Sequence, residues 1–145
     1  MIGNIFYLRE IAHSRAGDKG DTSNIGVIAY QPEFYPPIED QITTEAVRAH
    51  FGDLVKGKVV RYLLPRFSAM NIVMEQSLGG GVTRSLSLDP HGKSYSALIL
   101  TMPILLDAST AAALRKKGRE PVEQRILLAL EQSGRLSVHA RNAIK

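Results

Sequence analysis

Short apolar runs, separated by polar and glycine-rich segments, divide the first hundred residues. Residues 4–12 and 24–30 are rich in isoleucine, valine and aromatic residues, which is typical of β-strands, and they predict a hairpin closed by the polar segment between them. Residues 57–64 form a third apolar run that is closed by a proline. Residues 83–88 alternate with period two, and residues 94–102 follow after a turn, so this pair predicts a hairpin. The pattern predicts a mainly antiparallel sheet.

Four segments have a helical arrangement of apolar positions. Residues 43–52 begin with threonines that can cap a helix and end at a glycine. Residues 67–78 place apolar side chains at i, i+3, i+4 and i+8 and predict an amphipathic helix. Residues 109–117 and 121–134 predict two more helices, each ending next to a glycine. The proline-rich residues 31–37 are predicted to be a connection without regular structure.

The order of these elements predicts an α+β fold with helices packed on one face of the sheet. The length of 145 residues is that of one domain. We assign residues 1–104 to an α+β unit and residues 105–145 to a C-terminal helical extension of the same domain. Residues 135–145 are expected to be frayed.

The composition narrows the possible chemistry. The chain has no cysteine, which excludes disulfides, thiolate nucleophiles and cysteine-based metal centres. The N-terminus lacks the basic and apolar regions of a signal peptide, and no window approaches the ~20 apolar residues of a membrane span. We therefore expect a soluble, cytoplasmic protein that does not contact a membrane, and we expect neither a metal nor a cofactor.

The net charge of +4 is concentrated in the last third of the chain. Residues 111–145 carry eight Lys or Arg against three Asp or Glu. Such a basic segment could contact phosphates, but no aromatic residues alternate with the cations, as single-strand binding would require. Cations also cluster at helix C-termini, where they complement the dipole and stay solvated. We take this second interpretation and expect no nucleic-acid partner.

The polar segment from His13 to Asn24 carries the densest candidate chemistry. Its glycines, Gly17 and Gly20, with the cations of Arg15 and Lys19, could form an anion cradle. Alternatively Asp18 and Asp21 could act as an acid–base pair, or with His13 and Asn24 could bind a metal. A purely structural loop, whose charged side chains bond to each other and cap backbone groups, is also compatible with the sequence. These four interpretations stay open.

A second polar element consists of Gly79, Gly80 and Gly81, followed by Arg84 between two hydroxyl residues. Arg84 could hold an anion by bidentate contact, or the glycines could simply end a helix. We predict that this element and the His13–Asn24 segment open at the same end of the sheet, with Arg84 facing Asp18 or Asp21. His50 and His91 are expected to be structural or solvated. The candidate ligand-binding residues are Ser14, Arg15, Gly17, Asp18, Lys19, Gly20, Asp21, Asn24, Gly79, Gly80, Gly81 and Arg84.

These motifs resemble one known family. Residues 14–21 (SRAGDKGD) and 24–27 (NIGV), then 64–65 (LP) with 69–71 (AMN), 78–86 (LGGGVTRSL), and Asp89 with Gly92-Lys93 are similar to the C-terminal domain of the acyclic terpene utilisation (AtuA) proteins. The resemblance covers about residues 9–102. It implies a ferredoxin-like α+β domain that usually follows a larger N-terminal domain, and a role in catabolism of acyclic terpenes through CoA thioesters. It implies no catalytic residues.

The sequence leaves two classes of function open. The first is an accessory or ligand-binding domain that partners a larger AtuA-type subunit in catabolism of terpenoid or acyl-CoA-type compounds, and that binds an anionic small molecule. The second is a small lyase or hydratase, acting on a carboxylate or CoA thioester with an Asp base in the GDKGD loop. Whether the chain is an enzyme is undecided, since the sequence contains no complete catalytic constellation. We also expect a homo-oligomer, because an antiparallel sheet with helices on one face leaves a face and edges free.

Overall fold

The computed structural model describes residues 3–133. It confirms an α+β fold with antiparallel sheets. The strands are β1 (Ile5–Tyr7), β2 (Ala12–Lys19), β3 (Thr22–Ala29), β4 (Val59–Leu64), β5 (Ala69–Met74) and β6 (Pro103–Leu105). The helices are α1 (Tyr35–Gln41), α2 (Thr44–Phe51), α3 (Tyr95–Ile99), α4 (Ala108–Lys116) and α5 (Val122–Gln132).

Two consecutive hairpins make the main sheet. Its strand order is β2-β3-β5-β4, and all its neighbours are antiparallel. A second sheet joins β1 to β6, near the two ends of the α+β unit. Because β1 pairs with β6 and not with its neighbour in sequence, this sheet closes the unit around a single core.

One face of the main sheet packs on the helices. Alternate residues of β3 and β5, such as Ile25, Val27 and Ile72, are buried there with side chains of α1, α2 and α3. The opposite face carries exposed residues such as Arg15 and Asn24. We call it the open face, and the two faces follow directly from the period-two alternation of strands.

Helix α2 forms as the sequence predicts. Its N-cap is Thr43, whose hydroxyl accepts a hydrogen bond from the Ala46 amide at 3.1 Å. Its C-cap is Gly52, which has a φ of +53°. The prediction of a structureless connection over residues 31–37 is wrong at its end, because α1 begins at Tyr35 and the prolines fall in its first turn, where no intrahelical N–H bond is lost.

The predicted helix over residues 67–78 is wrong, because this segment contains strand β5. Met70, Ile72 and Met74 point into the core with period two. Met70 and Met74 are also four residues apart, so the same apolar positions fit a helix. Pairing on both sides, with β3 and β4, selects the strand.

The first predicted strand pair is displaced along the sequence. Strands β2 and β3 pair from Ala12 opposite Ala29 to Lys19 opposite Thr22, so the polar segment is strand over most of its length. The connection shrinks to Gly20 and Asp21. A two-residue turn with glycine at its first central position is a favoured hairpin connection.

The predicted hairpin of residues 83–88 and 94–102 is also wrong. Residues 75–94 form turns and irregular backbone, and Tyr95–Ile99 is helix α3. α3 packs against the main sheet, where the Ser14 hydroxyl donates to the carbonyl oxygen of Ser96 at 2.6 Å.

Helices α4 and α5 confirm the predicted helical extension as far as Gln132, and the expected frayed tail lies outside the described residues. Two of the basic residues in this extension are structural. Arg119 and Arg125 donate to the two carboxylate oxygens of Glu10 at 2.9 and 2.8 Å, and the Glu10 side chain is only 2% exposed. These contacts tie the extension to the start of the chain. No helix within residues 3–133 is long and apolar enough to cross a membrane.

Candidate functional site

The turn between β2 and β3 lies against the triglycine segment, Gly79–Gly81. The Oδ1 atom of Asp21 accepts hydrogen bonds from the backbone N–H of Leu78 at 2.9 Å and of Gly80 at 3.0 Å. The carbonyl oxygen of Asp21 accepts from the amide of Ser77 at 3.0 Å. The two polar elements therefore meet at one end of the sheet, which confirms that part of the prediction.

The three glycines allow this contact. Their φ angles are +62°, +94° and +96°, which residues other than glycine rarely adopt. A Cβ on Gly81 would lie 3.1 Å from the carbonyl oxygen of Gly20. The triglycine segment thus directs the N–H of Gly80 towards the hairpin, and Gly81 approaches the hairpin backbone closely.

Asp18 forms the second contact of the hairpin. Its carboxylate accepts from Lys93 Nζ at 2.8 Å and contacts His91 Nδ1 at 3.2 Å. The hydrogen bonds from Lys93 and His91 lower the pKa of Asp18 below its ordinary value of 3.8. His91, expected to be structural or solvated, is half exposed and contacts this carboxylate. Asp18 is thus held as an anion between two basic side chains.

The turn that carries His91 and Lys93 is held by Asp89. The Asp89 carboxylate accepts from the backbone amides of Lys93 at 3.0 Å and Ser94 at 2.8 Å, and from the Ser94 hydroxyl at 2.5 Å. These hydrogen bonds lower the pKa of Asp89, and the bond from the Ser94 hydroxyl has the largest effect. Asp89 therefore holds the turn in the conformation in which Lys93 contacts Asp18.

A cavity of about 490 Å³ opens beside these contacts. Its walls include Asp21, Asp89, Ser85, Ser87 and Tyr95. The Tyr95 hydroxyl donates to the carbonyl oxygen of Ser77 at 2.6 Å, and burial, with the Asp89 and Asp21 charges, raises the pKa of Tyr95. The wall carries three carboxylates, Asp21, Asp53 and Asp89, against one lysine, Lys56, so it disfavours an anionic ligand.

The outer side of this wall is apolar. Ser85 and Ser87 line the cavity, whereas Leu86 and Leu88, which alternate with them along the chain, are fully exposed, at 102% and 107%. Arg84 is exposed as well. The period-two pattern of residues 85–88 therefore corresponds to side chains that alternately line the cavity and face solvent, although the segment is not a strand.

Arg84 does not face the hairpin carboxylates as predicted. Among residues 3–133 its side chain forms no ion pair with Asp18 or Asp21, because those carboxylates are occupied by Lys93 and His91 and by backbone amides. The predicted contact of Arg84 with Asp18 or Asp21 is therefore wrong as an ion pair, and ligand binding by Arg84 stays a prediction. The exposed arginine is a cation available to another molecule.

The remaining candidate residues of the polar segment divide between the two faces of the sheet. Ser14 and Asp18 lie on the helix-covered side, where Ser14 binds α3. Arg15, Lys19 and Asn24 are exposed on the open face. Gly17 lies under Asn24, since a Cβ on Gly17 would be 2.5 Å from Asn24 Oδ1. The segment therefore does not close around one ligand, and ligand binding by these residues stays a prediction.

The geometry bears on the alternatives that the sequence leaves open. The N–H groups that converge belong to Leu78 and Gly80, and the anion they bind is Asp21 itself. Asp18 has a lowered pKa, which makes it a weaker base. No group of three or more His, Asp or Glu in the described part of the chain could hold a metal ion. The structural interpretation accounts best for the two carboxylates.

Sequence reasoning missed His91, Lys93, Asp89 and Tyr95 as parts of this cluster. The sequence separation between Asp18 and Lys93 is 75 residues, so spacing along the chain does not reveal the contact. The available clue is the motif Asp89 with Gly92-Lys93, which by itself indicates only a turn.

Comparison with known proteins places the chain in a family. Curated proteins and solved structures give no significant match. The family model described as the AtuA ferredoxin-like domain matches residues 6–105, which include all six strands except the first residue of β1. The match covers more than two thirds of the 145 residues, and the chain belongs to the AtuA ferredoxin-like domain family.

Proposed function

We propose that this protein is an accessory domain that docks onto a larger AtuA-type subunit and serves the catabolism of acyclic terpenoid or acyl-CoA-type compounds. The observation that carries the proposal is the complete exposure of Leu86 and Leu88 beside a cluster of family motifs. Fully exposed leucines on an ordered segment are typical of surfaces that another protein covers. Arg84 extends the same outer surface and adds a cation.

The inner side of this segment gives the leucines a fixed position. The Ser87 amide donates to the Ser85 hydroxyl at 3.2 Å, and the Asp89 amide donates to the Ser87 hydroxyl at 3.3 Å. The Arg84 and Ser85 amides both donate to the carbonyl oxygen of Gly81. A segment held in this way loses little conformational entropy when it is covered, which favours binding.

The state of the loop carboxylates favours binding over catalysis. Asp21 is engaged by two backbone amides, and Asp18 by two basic side chains. A general base must be free to accept a proton, with a pKa near the working pH. An Asp-based lyase or hydratase therefore has less support than an accessory role.

The experiment is co-purification with a recombinant AtuA-type large subunit. We expect the wild-type chain to form a complex and the variant Leu86→Ser/Leu88→Ser to lose at least tenfold in affinity. The matched control is Ile126→Ser/Leu128→Ser, which removes two apolar side chains on α5 that are 50% and 48% exposed. The control should retain wild-type affinity.

Three results would overturn the proposal. The first is wild-type affinity in the Leu86→Ser/Leu88→Ser variant, and the second is the absence of a complex with the wild-type chain. The third is turnover of an enoyl-CoA by the isolated chain that is abolished in Asp18→Asn, which would establish the enzymatic alternative.

A further inference from the structure

The outer edge of β4 is a second unpaired surface, distinct from the Leu86 and Leu88 segment. Within residues 3–133, β4 pairs only with β5 and forms the end of the main sheet. The amide of Glu75 donates to the carbonyl oxygen of Lys58 at 2.9 Å, which shows that even-numbered positions bond towards β5. The odd-numbered positions direct their N–H and C=O groups outwards, and within the strand these are Val59, Arg61 and Leu63.

The exposed part of this edge, residues 62–64, carries no charged side chain. The guanidinium of Arg61, within the same strand, donates to the backbone carbonyl oxygens of Glu39 and Ile42. Tyr62, Leu63 and Leu64 are uncharged and are 56%, 40% and 43% exposed, and Phe67 just after the strand is 75% exposed. Charged side chains usually prevent edge strands from pairing with other chains. The opposite edge strand, β2, has Arg15, Asp18 and Lys19 along its length.

The apolar residues are self-complementary about Leu63. If two copies of β4 pair in antiparallel fashion around a two-fold axis at Leu63, Tyr62 lies opposite Leu64 of the partner copy and Leu64 lies opposite Tyr62. An aromatic side chain across from an aliphatic one is a favourable cross-strand pair. Pro65 begins a 3-10 turn, so the pairing spans residues 62–64 of each copy, and no like charges face each other within it.

The exposed area is suited to such a contact. An aromatic side chain buries 150–250 Å², so at 56% and 75% exposure Tyr62 and Phe67 together offer about 260 Å² per copy. A standard interface needs about 800 Å² per partner. The two aromatic residues supply about a third of it, before the leucines and the backbone edge are counted.

We propose that the chain forms a homodimer by antiparallel pairing of β4 with β4 of a second copy, around a two-fold axis at Leu63. The main sheet then continues across the dimer as eight strands. This proposal does not rest on the proposed function, because the docking segment and the β4 edge share no residue.

Cysteine cross-linking tests the pairing directly, because the natural chain contains no cysteine. In the proposed dimer, Leu63 and its copy form a hydrogen-bonded pair with Cα atoms about 5.5 Å apart, which is within the range of a disulfide. Oxidised Leu63→Cys should therefore run as a covalent dimer on a non-reducing gel, with at least tenfold more cross-link than Ala112→Cys, a control at an exposed position of α4.

Light scattering of the wild-type chain and of Leu63→Lys completes the test. The wild-type chain should have twice the monomer mass of 15.9 kDa, and Leu63→Lys, with an unchanged circular dichroism spectrum, should have the monomer mass. A wild-type chain that is monomeric at a concentration of about 100 µM overturns the proposal. A dimer that persists in Leu63→Lys, or that does not cross-link through Leu63→Cys, overturns it equally.

Discussion

The contact between Asp21 and the triglycine segment can be tested by removing its carboxylate. In Asp21→Ala, the amides of Leu78 and Gly80 lose their acceptor. A hydrogen bond to a charged group contributes about 1.5–3 kcal/mol to stability. The Leu78 bond is partly buried and should contribute in that range, whereas the Gly80 bond is exposed and screened by water and should contribute less.

The sum predicts that Asp21→Ala lowers the free energy of unfolding by about 2–3 kcal/mol. For a chain of this size, that corresponds to a fall in melting temperature of roughly 5–10 °C. Asp21→Asn keeps a neutral oxygen acceptor and should lose only about 1 kcal/mol. Urea denaturation followed by circular dichroism measures these differences.

Asp53→Ala is the matched control. Asp53 lines the same cavity, but its side chain is fully exposed and contacts only Lys56 at 3.5 Å. Its removal should leave the free energy of unfolding at the wild-type value, because an exposed ion pair is screened by water. Hydrogen exchange adds a local measurement, since the amides of Leu78 and Gly80 should exchange faster in Asp21→Ala alone. Equal stabilities of Asp21→Ala and Asp53→Ala, with unchanged exchange at both amides, would refute this account of the contact.

Three further predictions concern the same structure. Lys93→Met should raise the pKa of Asp18 towards 3.8, as measured by NMR titration of the carboxyl group. Because the pKa of Asp18 is lowered in the folded state, the ionised carboxylate stabilises the wild-type fold above pH 3.8, and this stabilisation is lost as the pH falls below that value. Gly81→Ala should destabilise the protein more than Gly80→Ala in thermal melts, because their φ angles are +96° and +94° but only a Cβ on Gly81 meets a backbone oxygen, at 3.1 Å; equal melting temperatures would contradict this. Glu10→Ala should lower the free energy of unfolding by about 2 kcal/mol, less than the roughly 3–5 kcal/mol of an uncompensated buried charge, because the three arginines left behind, Arg9, Arg119 and Arg125, are partly exposed and can be hydrated. Unchanged amide exchange in α5 would count against a role for this carboxylate in holding the extension.

Part of the candidate site could be predicted from the sequence. The flexible glycines and short polar side chains of Gly20-Asp21 and of the triglycine segment are recognisable in the sequence. The two elements meet at one end of the sheet because β5, which precedes the triglycine segment, pairs antiparallel with β3, which follows Asp21. Their partners could not be predicted. Asp18 and Lys93 are 75 residues apart, and only the placement of α3 against β2 brings them within 2.8 Å.

The sequence alone determined the features that depend on local backbone chemistry. Thr43 and Gly52 bound α2 because a hydroxyl can accept from the third following amide and glycine tolerates a positive φ. Leu64 ends β4 because the ring of the following proline restricts its φ angle, and the turn Pro65–Phe67 begins there. The motifs of the family are local as well, which is why they indicate membership without the structure.

Tertiary structure decided the segments whose pattern fits two conformations. Met70 and Met74 fit a helix or a strand, and the two neighbouring strands that pair with β5 make the strand more stable. Residues 83–88 have the pattern of a strand, but among the described residues no strand pairs with them, and the triglycine segment is held on Asp21 instead. A periodic pattern indicates which side chains share a face of an element. Which hydrogen-bond partners the backbone groups find depends on residues that are distant in the sequence.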